Sequence, residues 1–397
     1  MQTFAACSLL EPASIIGRSG YSFDELPQYV VEAARQLHQG EHRKAIETLD
    51  VARTATAPDV PLDSIIAATA HCRQGNFKGA LKVAERGLQQ VGKNTHLLNC
   101  LGIALTGLNE HSNAQQVFLH AIQADAGNTH AFLNLAHVFL SQNHPDAAFE
   151  TLQQGLRQNP GSNELEKLLL QIHPAWVQAL VAGKLRLRTL APSDEAFVLR
   201  CFTDQRFMTS YHRFATRSQS RRQIQSDLQQ NPRLAVLNRK SVSWVVELAE
   251  STAAPGQDNS GYCPVGLVTL AEIHLWARRA EFLIGFPDKD RRGSGTPLAA
   301  TLLLMDHAFN RIGFNKLTSI VYGDNTFSQR NTLALGFTQE GFRPDHLRDL
   351  NTGHWLSIYD NGMLKKDFRA NARLKRLSKR LLGFDATRSR TDKTVFS

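Results

Sequence analysis

Residues Asp288–Phe314 read DKDRRGSGTPLAATLLLMDHAFNRIGF: two arginines and a Gly-Ser-Gly lead directly into a long apolar run. Leu298, Leu302, Met305, Phe309 and Ile312 recur at intervals of four, three, four and three residues, so the run is a helix with one face on a core, and Gly313 is its stop signal. Where such a helix begins, backbone N–H groups lack intrahelical acceptors and the helix dipole is positive. Glycines let an anion approach that backbone, and Lys289, Arg291 and Arg292 add charge, so the stretch predicts a phosphate-binding loop ahead of a buried helix. A nucleoside-triphosphatase loop is excluded. It needs a lysine and a hydroxyl directly after its second glycine, and here Thr296 and Pro297 follow Gly295.

Working outward, KLRLRTL (184–190) alternates leucines with basic residues, and Ser193-Asp194-Glu195 behind Pro192 opens a helix. Helical stretches follow at Glu195–Phe202 and Arg221–Gln229, then strand-like runs SVSWVVELA, CPVGLVTLAEI and RRAEFLIGF separated by turn-rich segments. Beyond the loop and its helix come a strand KLTSIVY, a short helix from Thr326 to Leu335 and a final strand pair ending near Lys366. This is an α+β layout with a mixed sheet.

The first half has a different period. A small residue followed twelve positions later by alanine recurs as Ala33/Ala45, Ala68/Ala80, Gly102/Ala114 and Ala136/Ala148, offset by 35, 34 and 34 residues. Two antiparallel helices that approach closely need a small side chain on each at the crossing. In Thr129–Ser162, Phe132, Leu135 and Phe139 line one helix, Phe149, Leu152 and Leu156 the next, and Pro160 closes the unit. Leu26–Ser162 resembles the tetratricopeptide family, with Glu32 and His71 standing in the first two units where a large apolar residue is usual. The resemblance implies an all-α solenoid whose concave wall holds a protein or peptide partner. Residues 163–183 read as a capping helix and hinge, and 1–25 as an N-terminal segment.

The chain has 397 residues, 42% hydrophobic and 20% charged, and a net charge of +9. That charge is concentrated: residues 371–397 hold eight Lys/Arg against two Asp/Glu, a surplus of +6, leaving +3 for the other 370. The basicity therefore gives no argument for a specific nucleic-acid partner. The tail begins like a short basic amphipathic helix and reads as a solvated end, with peripheral contact to an acidic surface as the alternative. Five scattered cysteines (Cys7, Cys72, Cys100, Cys201, Cys263) without CxxC spacing fit neither a disulfide framework nor a zinc site. No run of about 18 apolar residues spans a membrane, and no positive residue precedes Arg18, so a cytoplasmic location is expected.

With strand, RRGSGT, helix, strand, then Asn325, Ser328, Gly336-Phe337 and Glu340-Gly341, residues Lys184–Ala370 resemble the GNAT superfamily of acyl-CoA N-acyltransferases, notably its branch acting on ribosomal-protein N-termini and amino sugars. The resemblance implies acetyl-CoA as acyl donor, no metal, and a mixed sheet with two splayed central strands. It places the pantetheine along Phe282, Leu283 and Ile284, the pyrophosphate at Arg291, Arg292, Gly293, Ser294, Gly295 and Thr296, and a pantetheine contact at Asn325. Two positions depart from the family: Asp290 opens the loop, and Thr332 stands where many members carry the tyrosine that protonates the leaving thiolate.

The expected chemistry is attack of a primary amine on the thioester, requiring a base, an oxyanion site and an acid. Ser328 is the candidate acid, because related members of the ribosomal-protein branch have serine at that motif position, with helix capping as its other role. Glu281 is the favoured base and Glu272 the next, each with a surface role as the alternative. Trp355 and Tyr359 are the candidates for the acceptor wall. His274, His307, His346 and His354 are not assigned catalytic roles, and His307 reads as packing. The expected function is N-acetylation of a protein N-terminus or another amine presented by the repeats. The alternatives are a nucleotide-linked amino sugar as acceptor, or a non-catalytic adaptor in which Asp290 and Thr332 mark decay.

Overall fold

The computed structural model describes residues 26–54, 61–211, 221–249, 261–288, 290, 294–349 and 352–388. The chain divides into two compact units, Met1–Leu169 and Leu170–Ser397.

The first unit is helical: α1 (Gln28–His38), α2 (His42–Thr54), α3 (Pro61–Gln74), α4 (Phe77–Val91), α5 (Thr95–Gly107), α6 (His111–Ala124), α7 (Thr129–Ser141) and α8 (Pro145–Gln158). Each packs on the next. The alanines of the repeat (Ala33, Ala45, Ala68, Ala80, Ala114, Ala136 and Ala148) are fully buried, as close helix crossings demand. Starts are fixed by asparagine caps one repeat apart: Asn94 Oδ1 accepts from the amides of His96 and Leu97, and Asn128 Oδ1 from Ala131. Asn99 Nδ2 donates to Asn128 Oδ1 at 3.1 Å, tying one repeat to the next through a buried polar contact. Helix α9 (Asn163–Gln171) follows.

Among the described residues the second unit is an eight-stranded mixed sheet with helices: β1 (Leu180–Ala182), β2 (Leu185–Thr189), α10 (Glu195–Thr203), α11 (Gln205–Tyr211), α12 (Arg221–Gln229), α13 (Leu234–Arg239), β3 (Val242–Ala249), β4 (Tyr262–His274), β5 (Arg279–Gly285), α14 (Thr296–Asp306), β6 (Lys316–Tyr322), α15 (Thr326–Ala334), β7 (Thr338–Arg348), β8 (Trp355–Leu364), α16 (Lys365–Ala370) and α17 (Ala372–Leu382). Strand order is β1-β2-β3-β4-β5-β6-β8-β7, with every pair antiparallel except β5–β6. A buried ion network fixes the β2–β3 edge. Arg188 binds Asp194 through two contacts of 2.7 and 2.8 Å, and both Arg186 and Arg188 bond Glu247, which is 2% exposed.

Two segments differ from the sequence expectation. The hinge region contributes Trp176, Leu180 and Ala182 to the core of the second unit, where Trp176 donates to the Leu170 carbonyl at 2.6 Å and lies 5.7 Å from Phe314. The basic tail is likewise built in: Leu374, Leu382 and Ala386 are buried in the same core. The reason lies in α14. Its expected apolar face is buried, but Ala300, Leu303 and Leu304 are buried too, so the helix needs cover on more than its sheet side. Helix α17 and strand β1 both pack on it. Past Asp306 the helix widens into a π-helical turn, His307–Ile312, ending at Gly313 (φ 95°). Asn310 on that turn donates to the Ala386 carbonyl at 2.8 Å, locking the tail in place.

Candidate active site

The two central strands part company. β5 and β6 pair only at Arg279↔Lys316, Ala280↔Leu317 and Glu281↔Thr318. Beyond that point β5 stays in register with β4, and β6 with β8, so each is held by its outer neighbour while the inner edges of 282–285 and 319–322 have no strand partner. Such edges present open backbone donors and acceptors, a template for an extended ligand. Between them lies a cavity of about 460 Å³, walled by Phe282, Leu283 and Ile284 on one side and Ser319–Tyr322 on the other.

The start of α14 adds Gly295, Pro297 and Leu298 to the cavity wall. Gly295 caps α14 in the left-handed region (φ 79°), which a side chain would strain. Its carbonyl accepts from Ala299, and Pro297 has no N–H, so Thr296 and Leu298 are the open amides of this first turn among the described residues. Ser294 Oγ donates to Thr296 Oγ1 at 3.0 Å. Asp290 is exposed. Lys289, Arg291, Arg292 and Gly293, expected to serve the phosphates, lie outside the described residues.

On the far side, α15 brings Asn325, Ser328 and Thr332 to the cavity. Asn325 is the helix N-cap, accepting from the Ser328 amide at 3.1 Å, so its Oδ1 is engaged while Ser328 Oγ is left to the cavity. A buried amide network anchors the helix: Gln329 and Asn361 exchange two hydrogen bonds of 2.9 Å, Asn361 Nδ2 also donates to the Ser319 carbonyl at 3.1 Å, and Gln329 Nε2 reaches Gln339 Oε1. The helix ends at Gly336 (φ 94°), where a Cβ would run into Asn371. Phe337 behind it is buried in the core.

Glu281 stands at the crotch of the fork. Burial pushes its carboxyl up to about 7; the negative charges of Glu272 and Asp360 act in the same direction, and the Ile320 amide bonding to it acts against them. Asp360 faces this point from β8, where it is paired to β6 at Ile320 and holds Arg343 through contacts of 2.7 and 2.6 Å. Glu272 is exposed, on a bulge of β4 with φ 46°. None of the three carboxylates is among the residues lining the cavity: Glu281 directly precedes the lining residue Phe282, Asp360 is engaged by Arg343, and Glu272 is exposed.

Trp355 and Tyr359 are not among the residues lining the cavity. Trp355 is 61% exposed and paired with Arg348 near the tip of the β7–β8 hairpin, and Tyr359 packs on Phe342 at 5.0 Å. His307 is fully buried edge-on against Trp244, and that burial lowers its imidazole to about 3, which keeps it neutral. Several lining residues were not foreseen, Tyr211, Arg373 and Leu377 among them. Tyr211 on α11 packs with Phe207 over Gly285, and its hydroxyl shares a 2.7 Å hydrogen bond with Thr269 Oγ1, which in turn bonds Ser243 at 2.6 Å. Burial holds this phenol well above the usual range, so it stays protonated. The only local signal was its spacing of four from Phe207 on a short helix, which says nothing of Thr269.

Residues 184–338 match the family model described as acetyltransferase (GNAT) domain, and residues 105–172 match that of the tetratricopeptide repeat. Among curated proteins, the chain is 23% identical over 185 residues to an uncharacterized N-acetyltransferase, YoaA, of Bacillus subtilis, covering 45% of this chain and 94% of that protein. Among solved structures, it is similar to a spermidine N-acetyltransferase from Vibrio cholerae crystallised with CoA and spermine, at 21% identity and a TM-score of 0.38, covering 46% of this chain and 97% of that one. The chain therefore joins a tetratricopeptide segment to a GNAT acetyltransferase domain, and the second unit is an acyltransferase. Among the described residues no helix is long and apolar enough to cross a membrane, and no cluster could hold a metal ion.

Proposed function

We propose that the chain is an acetyl-CoA-dependent N-acetyltransferase whose acceptor is a primary amine carried by a protein docked on the repeats. The carrying observation is the fork: the β5–β6 pairing stops at Glu281 and Thr318, and the cavity it opens runs to the Gly295 end of α14. A pantetheine arm fits the two unpaired edges, and phosphates fit the open amides of Thr296 and Leu298. Acetyl-CoA supplies an activated acyl group as a thioester.

The chain's residues divide the remaining work. Glu281, with a carboxyl near neutrality, takes the proton of the incoming ammonium directly or through water. Glu272, exposed near that carboxyl, adds a negative charge that favours approach of a cationic amine. Backbone N–H groups on the free edge of β5 stabilise the oxyanion. Ser328 Oγ hands a proton to the departing thiolate, in place of the tyrosine absent at Thr332. An α-amine with a pKa of about 8 is partly neutral at pH 7 and asks less of Glu281 than a lysine of about 10, which favours a protein N-terminus as acceptor.

Acetyl-CoA is expected to raise the melting temperature of the chain. Gly295→Asp is expected to abolish that shift by adding a side chain and a charge where phosphate would approach. Turnover measured against N-terminal peptides, lysine peptides and amino sugars then ranks the acceptors. No shift with acetyl-CoA and no turnover on any of them would refute the reading in favour of an adaptor.

A further inference from the structure

Resting on that reading, we propose that the basic C-terminal helix α17 is part of the coenzyme site, with Arg373 and Arg380 binding the phosphates of CoA. Helix α17 lies beyond the segment matched by the acetyltransferase domain model, which ends at residue 338. Its position is nevertheless set by that domain. Leu374, Ser378 and Leu382, spaced by four, form its buried side, and Ser378 Oγ accepts from the Ala386 amide at 3.1 Å. Asn371 caps its start, accepting from Arg373 and Leu374, directly beside Gly336.

A helix so oriented presents a second stripe to the cavity. Arg373 and Leu377 line the cavity wall, and Leu381 comes within 3.8 Å of where a Cβ on Gly295 would stand. Arg373, Leu377 and Arg380 recur at intervals of four and three, so Arg380 lies on the same stripe of the helix as the two lining residues. Lys375 and Lys379 point elsewhere, and Lys375 pairs with Asp385 at 3.8 Å. Among the described residues neither Arg373 nor Arg380 forms an ion pair, and both are exposed.

The chemistry of the coenzyme matches this arrangement. Its pantetheine end is apolar and amide-rich, whereas its nucleotide end carries a pyrophosphate and a 3′-phosphate. The amides at the start of α14 can satisfy one phosphate group, and guanidinium groups two turns apart on an adjoining helix suit the others, since Arg binds phosphate through paired N–H donors. The cluster of basic residues in the tail thereby gains a function that a solvated end would not have.

Calorimetric titration of the full chain with CoA and with dephospho-CoA tests this. Arg373→Gln and Arg380→Gln are each expected to weaken CoA binding about tenfold, the loss of a charge-assisted contact, and to narrow its advantage over dephospho-CoA. Lys379→Gln removes the same charge from the other side of the helix and is expected to leave affinity within about twofold. The spread between these variants separates a phosphate contact from a general field, and circular dichroism checks that α17 remains folded. Unchanged affinity in the Arg373→Gln/Arg380→Gln double variant, or an equal loss in Lys379→Gln, overturns the proposal while leaving the acyltransferase reading intact. Absence of CoA binding by the unsubstituted chain overturns both.

Discussion

At the scale of single residues, Glu281 carries the sharpest expectation because its carboxyl is raised to about 7 by burial. As a base it works only when ionised, so kcat/KM is expected to rise as pH passes through about 7, and Glu281→Gln to be slow and flat across that range. Stability moves in the opposite sense. A carboxyl raised above its unfolded value binds its proton more tightly in the native state, so its contribution is full below about pH 4.5 and is lost as pH rises through about 7. Glu281→Gln is therefore expected to be more stable than the parent at pH 8 by about 2 kcal/mol, allowing for partial exposure, and indistinguishable near pH 4. Denaturant unfolding at the two pH values would expose the idea as wrong if the difference were absent at pH 8. For Ser328, replacement by alanine is expected to lower kcat at least tenfold with little change in acetyl-CoA affinity, the pattern of an interaction made only in the transition state. If Ser328→Ala is fully active while Tyr211→Phe is slow, the proton comes from the phenol instead. Legibility differed among these residues. Asn325 and Ser328 stand together in a local motif, and Glu281 was reached from its place on the strand EFLIGF. Tyr211 and Asp360 are placed by partners across the sheet, Thr269 by a hydrogen bond and Ile320 by strand register, and no local pattern encodes them.

At the scale of elements, α15 is the piece whose placement most affects the site, and it is held by side chains rather than by an apolar face: Gln329 is its one buried residue. Asn361 donates to both Gln329 and Ser319 from a position 1% exposed. Asn361→Leu would leave the buried Gln329 without its paired bonds to residue 361, at a cost of about 1–3 kcal/mol, would remove the bond to the Ser319 carbonyl, and would free α15 to shift. The expected outcome is a lower melting temperature together with a raised KM for acetyl-CoA, because the helix bearing Asn325 and Ser328 forms one wall of the cavity. A lower melting temperature with unchanged KM would show that the network stabilises the sheet alone. The strands and helices of strong period were readable from the chain, and so was the start of α14 just after Gly295. Two elements were not. β1 has three residues, too few to show alternation, and enters the sheet only because β2 offers it an edge. The amphipathic character of α17 was visible, but what would cover its leucines was not, since the answer is α14, which begins at Thr296, far earlier in the chain.

At the scale of the whole chain, the question is why an acyltransferase carries repeats. The second unit has its own core, which includes Trp176, Leu180 and α17. A chain reduced to residues 184–370 would lose Trp176, Leu180, Leu374 and Leu382 from that core, each large-to-nothing loss costing about 2–5 kcal/mol, so it is not the fragment to make. One spanning residues 170–388 keeps all four and is expected to fold and bind acetyl-CoA. If the repeats hold the protein that bears the reacting amine, removing them leaves the chemistry untouched but takes away a second attachment, and with it the raised local concentration of that amine. KM for a protein acceptor is then expected to rise by about a hundredfold in the 170–388 fragment, while KM for a short peptide with the same N-terminus stays within about twofold of the full chain. The comparison is internal, because both acceptors meet the same cavity and the same Glu281. A parallel loss on protein and peptide would mean that the repeats act on the folding or geometry of the catalytic unit, and docking would have to be abandoned as their role.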